Sequence, residues 1–166
     1  MKDYMFYLGI DGGKKGGFVL MDLNMRIVQK CIMPITPDKD FDIPEIVRIL
    51  KSALSHSKAL CVYLEQAHPR PISGKRACFM NGFGYGIIQG ILQGMEIDYK
   101  LVAPSVWMKS VLGANRQLRI KGSVDWCRDN YPGEVWRPTA RSTNAHDGMT
   151  DACCIAVYGC TKKGEE

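Results

Sequence analysis

No apolar run in this 166-residue chain reaches the roughly 18–20 residues that a membrane-spanning helix needs. A secretory pattern is missing too, because the apolar run of MKDYMFYLGID stops at an acid and no cleavage site follows. The expectation is an intracellular protein with no membrane partner. Seven cysteines are present, but no two stand at the CxxC spacing typical of zinc ligands. Cys31, Cys61, Cys153 and Cys154 lie inside apolar runs and read as free, buried thiols of a reducing compartment. No composition break or internal repeat divides the chain, so residues 1–166 read as one domain. What is present fits a globular protein: 46% hydrophobic and 23% charged residues, with a net charge of +5. That charge points to a polyanionic partner only where the cations cluster.

Residues 4–11, 16–22 and 25–33 are short, apolar and β-prone, separated by GGKK and by a tight DLN turn. They read as an antiparallel meander. In the next segment Asp42 can cap a helix, Pro44 suits its first turn, and Ile43, Val47, Leu50 and Leu54 recur at helical spacing. ALCVYLEQ (59–66) is continuously apolar, as a strand covered on both faces would be. Residues 67–82 have no period and read as a loop. A helix follows, with glycines at 82, 86, 90 and 94. Each glycine costs a helix about 1 kcal/mol against alanine, so the row implies a close packing contact. DYKLVA reads as a strand, with helices near 105–112, 121–130 and 147–159. The order predicts an RNase H-like α/β fold: a mixed five-stranded sheet, three-stranded antiparallel meander plus parallel strands, flanked by helices.

Two acids end apolar strands, Asp11 and Glu65, and parallel neighbours would present both at one end of the sheet. Asp147 and Asp151 stand four residues apart, on one face of the last helix. Taken singly, Asp11 reads equally as a turn residue and Asp147 as a helix cap. Asp151 is different, since it precedes the apolar run ACCIAVY, where an acid needs a cationic partner. Converging carboxylates without a cysteine or histidine cage suit Mg²⁺ or Mn²⁺.

GIDGGKKGG, VYLEQ, GFGYGIIQGIL, VAPSVWMK and HDGMTDACCIA, in that order, resemble the RuvC-like Holliday-junction resolvases, closest to the phage-type and chloroplast group. The resemblance covers nearly the whole chain. It implies a junction-cleaving endodeoxyribonuclease that works as a homodimer on branched DNA. Asp11, Glu65, Asp147 and Asp151 would be catalytic ligands of two Mg²⁺ or Mn²⁺ ions. Two departures stand out: RuvC spaces its last acids by three residues, so His146 competes with Asp147 for a role, and Met108 replaces a lysine of the usual Trp-Lys-Lys.

The candidate DNA contacts are Lys14 and Lys15 in the first hairpin, Arg70, Lys75, Arg76 and Phe79 in the 67–82 segment, and Lys109 and Lys121 near the starts of late helices. Tyr85 and Trp107 could touch DNA, but their place within helical stripes favours packing. The row of glycines reads either as an interface with a second copy or as packing on the chain's own sheet. Three other readings compete. An actin-like sugar kinase or ATPase shares the first motif but needs a second lobe; a YqgF-like nuclease would act on RNA; a non-catalytic DNA-binding module would not need four acids.

Overall fold

The computed structural model describes residues 4–57, 59–68, 74–114 and 116–162, and of 116–121 only the helical backbone. Five strands, β1 (Phe6–Asp11), β2 (Gly17–Asp22), β3 (Ile27–Ile32), β4 (Leu60–Glu65) and β5 (Tyr99–Val102), form one sheet in the order β3-β2-β1-β4-β5. The first three are antiparallel neighbours, while β4 pairs in parallel with β1 and β5 with β4. The helices are α1 (Ile43–His56), α2 (Lys75–Gly94), α3 (Pro104–Val111), α4 (Arg116–Asn130) and α5 (Asp147–Thr161). This is the mixed, helix-flanked sheet that the element order predicts.

Strand alternation sends side chains into two separate cores. Tyr7, Val19, Met21, Cys61 and Tyr63 pack with Trp107 and the apolar face of α5. Leu8, Ile10, Phe18, Leu20, Val62 and Leu64 pack with α1, and with Ile88 and Leu92 of α2. Both faces are therefore covered, which is why β1 and β4 read as unbroken apolar runs rather than alternating ones. All seven cysteines are free, and five of them are buried. No helix among the described residues is long and apolar enough to cross a membrane.

The structure corrects several local expectations. Helix α2 starts at Lys75, so the segment expected as a loop to residue 82 is helical over its second half. Its start was hidden for a reason: Gly74 supplies no side-chain cap, and the first turn carries no acid. Two cations stand there instead, at the end where the helix dipole disfavours them. In α1, Asp42 caps Glu45 N as expected, but the buried face is Ile46, Ile49, Leu50 and Ala53, and Ile43 is exposed. Helix α4 begins at Arg116 and is broken at Gly122, whose φ of 71° and ψ of −178° interrupt the turn.

Candidate active site

The parallel register of β1 on β4 sets Ile10 opposite Leu64, so the next residues, Asp11 and Glu65, leave the sheet side by side. Asp11 also closes its own turn, because its Oδ1 accepts from Gly13 N at 3.0 Å. The hairpin is tight: a Cβ at Gly16 would lie 2.0 Å from Asp11 O. The turn role and the site role of Asp11 thus coexist.

Helix α5 lies directly against β1 and the hairpin. A Cβ on Gly9 would sit 2.1 Å from Ala152 O, and one on Gly148 would sit 1.9 Å from Lys15 O. That close approach brings Asp151 over the strand ends. Asp11, Glu65 and Asp151 line one cleft of about 400 Å³, together with the 12–16 hairpin, His68, Asn81, Tyr85 and Pro104.

Burial pushes the Asp151 carboxyl up to about 6, reinforced by the nearby Asp11 and Asp147 charges and opposed by a hydrogen bond from Ser123 Oγ. Asp147, the first residue of α5, is exposed at the rim rather than lining the cleft. His146 is the N-cap of α5, its Nδ1 accepting from Met149 N at 3.2 Å. Burial lowers its basicity, while Asp147 and Asp11 act in the opposite direction.

Glu65 is held by a residue for which the sequence favoured packing over DNA contact and suggested no role at the acids. Trp107 is 1% exposed in the core, and its Nε1 donates to Glu65 Oε2 at 2.7 Å. Tyr85 likewise packs, yet it also lines the cleft. Nothing in the local sequence announces Ser123, His68 or Asn81 as neighbours of the acids, because the fold brings them there from separate elements.

Among the described residues, no three His, Cys, Asp or Glu side chains form a ready metal cage. Mg²⁺ does not require one: it keeps several waters and takes one or two carboxylates plus substrate phosphate. The donors around the cleft are hard carboxylate oxygens, with Asp11, Glu65 and Asp151 converging on one space, so the residues fit such a cation.

The basic residues divide. Lys15 is exposed and lines the cleft. Lys14 also lines it, but its ammonium donates to Lys39 O, pairs with Asp40 at 3.5 Å and lies over the Phe41 ring at 5.6 Å. Lys75, Arg76 and Phe79 are exposed in the first turns of α2, the helix that also sends Asn81 and Tyr85 to the cleft. Phe79 stacks on Phe83 with centroids 6.1 Å apart, and Phe83 meets the buried Phe41. Lys109 sits in the last turn of α3, not near its start, which removes the helix N-terminus as a reason for it to bind phosphate. Lys121 directly precedes the break at Gly122, with its side chain outside the described residues, and Arg70 lies outside them altogether. The glycines at 82, 86, 90 and 94 have open space where a Cβ would stand, so their face does not pack on the chain's own sheet.

No protein-family profile matches the chain, and no curated sequence does. Solved structures do match. Thermus thermophilus RuvC in complex with a Holliday junction substrate superposes with a TM-score of 0.64 at 13% identity, over 96% of this chain and 94% of that one. This chain has the RuvC-type resolvase fold. The yeast mitochondrial Holliday junction resolvase Ydc2 gives 0.53 at 16% identity, over 90% and 75% of the two chains. The fowlpox virus resolvase, solved with substrate junction DNA, gives 0.51 at 13%, over 94% and 99%. At such identities the likeness concerns the fold, and the RuvC-type frame is what carries the cleft described above.

Proposed function

We propose that the protein is a Mg²⁺- or Mn²⁺-dependent endodeoxyribonuclease that resolves four-way DNA junctions. The observation that carries this reading is the convergence of Asp11, Glu65 and Asp151 on one cleft, in a fold shared with resolvases solved on junction DNA. Those three carboxylates, with Asp147 at the rim, would hold two ions. Bound there, the metal supplies Lewis-acid chemistry: it activates water and stabilises charge on the scissile phosphate.

The chain's own groups do the rest. Asp11 keeps the hairpin closed while presenting a carboxylate oxygen, and Lys15 offers an ammonium to a passing backbone. Lys75 and Arg76 oppose the dipole of α2 unless an anion arrives, which suits a phosphate contact. Phe79, 68% exposed and stacked on Phe83, offers a flat apolar face to an opened base. The expected products carry a 5′ phosphate and a 3′ hydroxyl.

Resolution without damage needs two symmetric nicks, which a twofold dimer delivers in one encounter. The exposed glycine face of α2 is the surface that would meet the second copy.

The test is to incubate the protein with a synthetic four-way junction, a matched duplex and an RNA–DNA hybrid, each with Mg²⁺ and with EDTA. Paired nicks in the junction alone, abolished by EDTA, are expected. Cleavage confined to the RNA strand would replace this reading with a ribonuclease, and binding without cleavage would replace it with a non-catalytic junction-binding module.

A further inference from the structure

The geometry points to Trp107 as a positioning residue that fixes Glu65 for a divalent ion; this rests on the metal-site reading above. The placement follows from the chain path. Glu65 pairs with Val102 across β4 and β5, and Gln66 N donates to Val102 O at 2.8 Å. Helix α3 starts two residues later at Pro104, so its first full turn sets Trp107 beside the end of β4. The indole ring is locked among Val102, Leu112 and α5 residues of the core, and its Nε1 meets Glu65 Oε2 at 2.7 Å.

Three properties make this more than a packing contact. Glutamate has three side-chain torsions, and Glu65 shares its cleft with Asp11 and Asp151, whose like charges push it outward. The indole N–H is a donor with no acceptor and no charge, so it anchors one oxygen without neutralising the carboxylate. A lysine in its place would compete with the ion. A carboxylate offers about four lone-pair sites, so one bond to an indole still lets it ligate a metal. The immobile ring, moreover, cannot follow the carboxylate outward. Outer hydrogen-bond partners of this kind typically contribute 10- to 100-fold to metal affinity.

The test measures Mn²⁺ binding to the DNA-free protein by electron paramagnetic resonance. Trp107→Phe keeps an aromatic ring in the core, deletes the N–H and leaves a void where the rest of the indole stood, so the comparison between backgrounds below separates the lost hydrogen bond from the lost packing. Its Mn²⁺ affinity should fall about 10- to 100-fold. In a Glu65→Gln background the same change should cost almost nothing further, because the two residues act as one unit. Wild-type affinity in Trp107→Phe, or an equal loss in both backgrounds, would overturn the assignment. If Trp107→Phe fails to fold, the wild-type protein decides by nitrogen–proton correlation spectra. One of the three indole N–H resonances should move on Mg²⁺ addition, and the same one should shift in Glu65→Ala. Three resonances indifferent to both would overturn it. A wild-type protein that binds no Mn²⁺ at all would instead remove the metal site itself, and this assignment with it.

Discussion

Helices α5 and α2 lie on opposite faces of the sheet, both apolar and both carrying glycine, yet apart from Gly84, where a Cβ would meet Phe41 and Gly12 O, the α2 glycines serve differently from those of α5. In α5, eleven of fifteen residues are buried, and Gly148 together with Gly9 of β1 lets two backbones approach where no Cβ fits. In α2, only Gly84, Ile88 and Leu92 of twenty residues are buried, and the regular row at 82, 86, 90 and 94 faces open space. One helix is built into the core to fix a carboxylate; the other is docked along one edge, leaving a smooth face and two phenylalanines available. A regular glycine row in a sequence therefore does not by itself signal close approach within the same chain.

The largest expected effect breaks the α5 side. Gly9→Ala would drive a Cβ against Ala152 O and Ala156 N, both backbone atoms that cannot swing aside. Destabilisation of at least about 3 kcal/mol is expected, above the usual overpacking cost of roughly 1–3 kcal/mol, read by chemical denaturation. A wild-type midpoint would mean that α5 does not sit this close to β1.

Asp151 gives the next largest effect. Its folded carboxyl titrates near 6 against an ordinary 3.8, so the folded chain holds this proton more tightly than the unfolded one. Without metal, stability should therefore fall as pH rises from about 4 to about 6 and level off above. Asp151→Asn should remove that slope and stabilise the metal-free protein at pH 7 by roughly 2–3 kcal/mol. Denaturation midpoints across pH 4–8 check this, and a variant no more stable than wild type at pH 7 would show that Asp151 is not strained.

On α2 the same kind of change should leave the fold alone. Lys75→Ala with Arg76→Ala removes two cations from a helix start, so stability should rise by about 0.3–1 kcal/mol for each. Junction binding should weaken, and its salt slope should drop by roughly 0.9 for each phosphate that is no longer neutralised. An unchanged slope would take this turn out of the DNA interface. Gly90→Ala is the mildest: with open space at the Cβ it should stabilise the helix by up to about 1 kcal/mol. If the exposed row meets a second copy, the variant should also weaken self-association in sedimentation equilibrium, whereas an unaltered association would place any dimer contact elsewhere.

These contrasts show what could be read from the chain alone. The sheet was legible because β1, β2 and β4 are apolar on both faces and the turns between them carry glycine or asparagine. Asp11, Glu65 and Asp151 were legible because a charge at the edge of an apolar run demands a reason. Asp147 belonged to the same spacing argument, but an exposed position at the helix start satisfies it equally well. The start of α2 was illegible, because its cap has no side-chain signal and its first turn contradicts the dipole preference. The hydrogen bonds from Trp107 and Ser123 were also hidden, since each depends on where a helix lands after leaving β5 or the break at Gly122. The regular glycine row drew attention by its period, while the single glycines at 9 and 148, which carry the tight approach, have none.

The most direct measurement of the central claim is a side-by-side junction assay of wild type, Asp11→Asn, Glu65→Gln and Asp151→Asn. Binding is read by gel shift in Ca²⁺ and cleavage by strand mapping in Mg²⁺. All four proteins should bind the four-way junction, and only the wild type should cut it, with paired nicks bearing 5′ phosphates. Wild-type cutting by all three variants would contradict the assignment of this cleft as the active site.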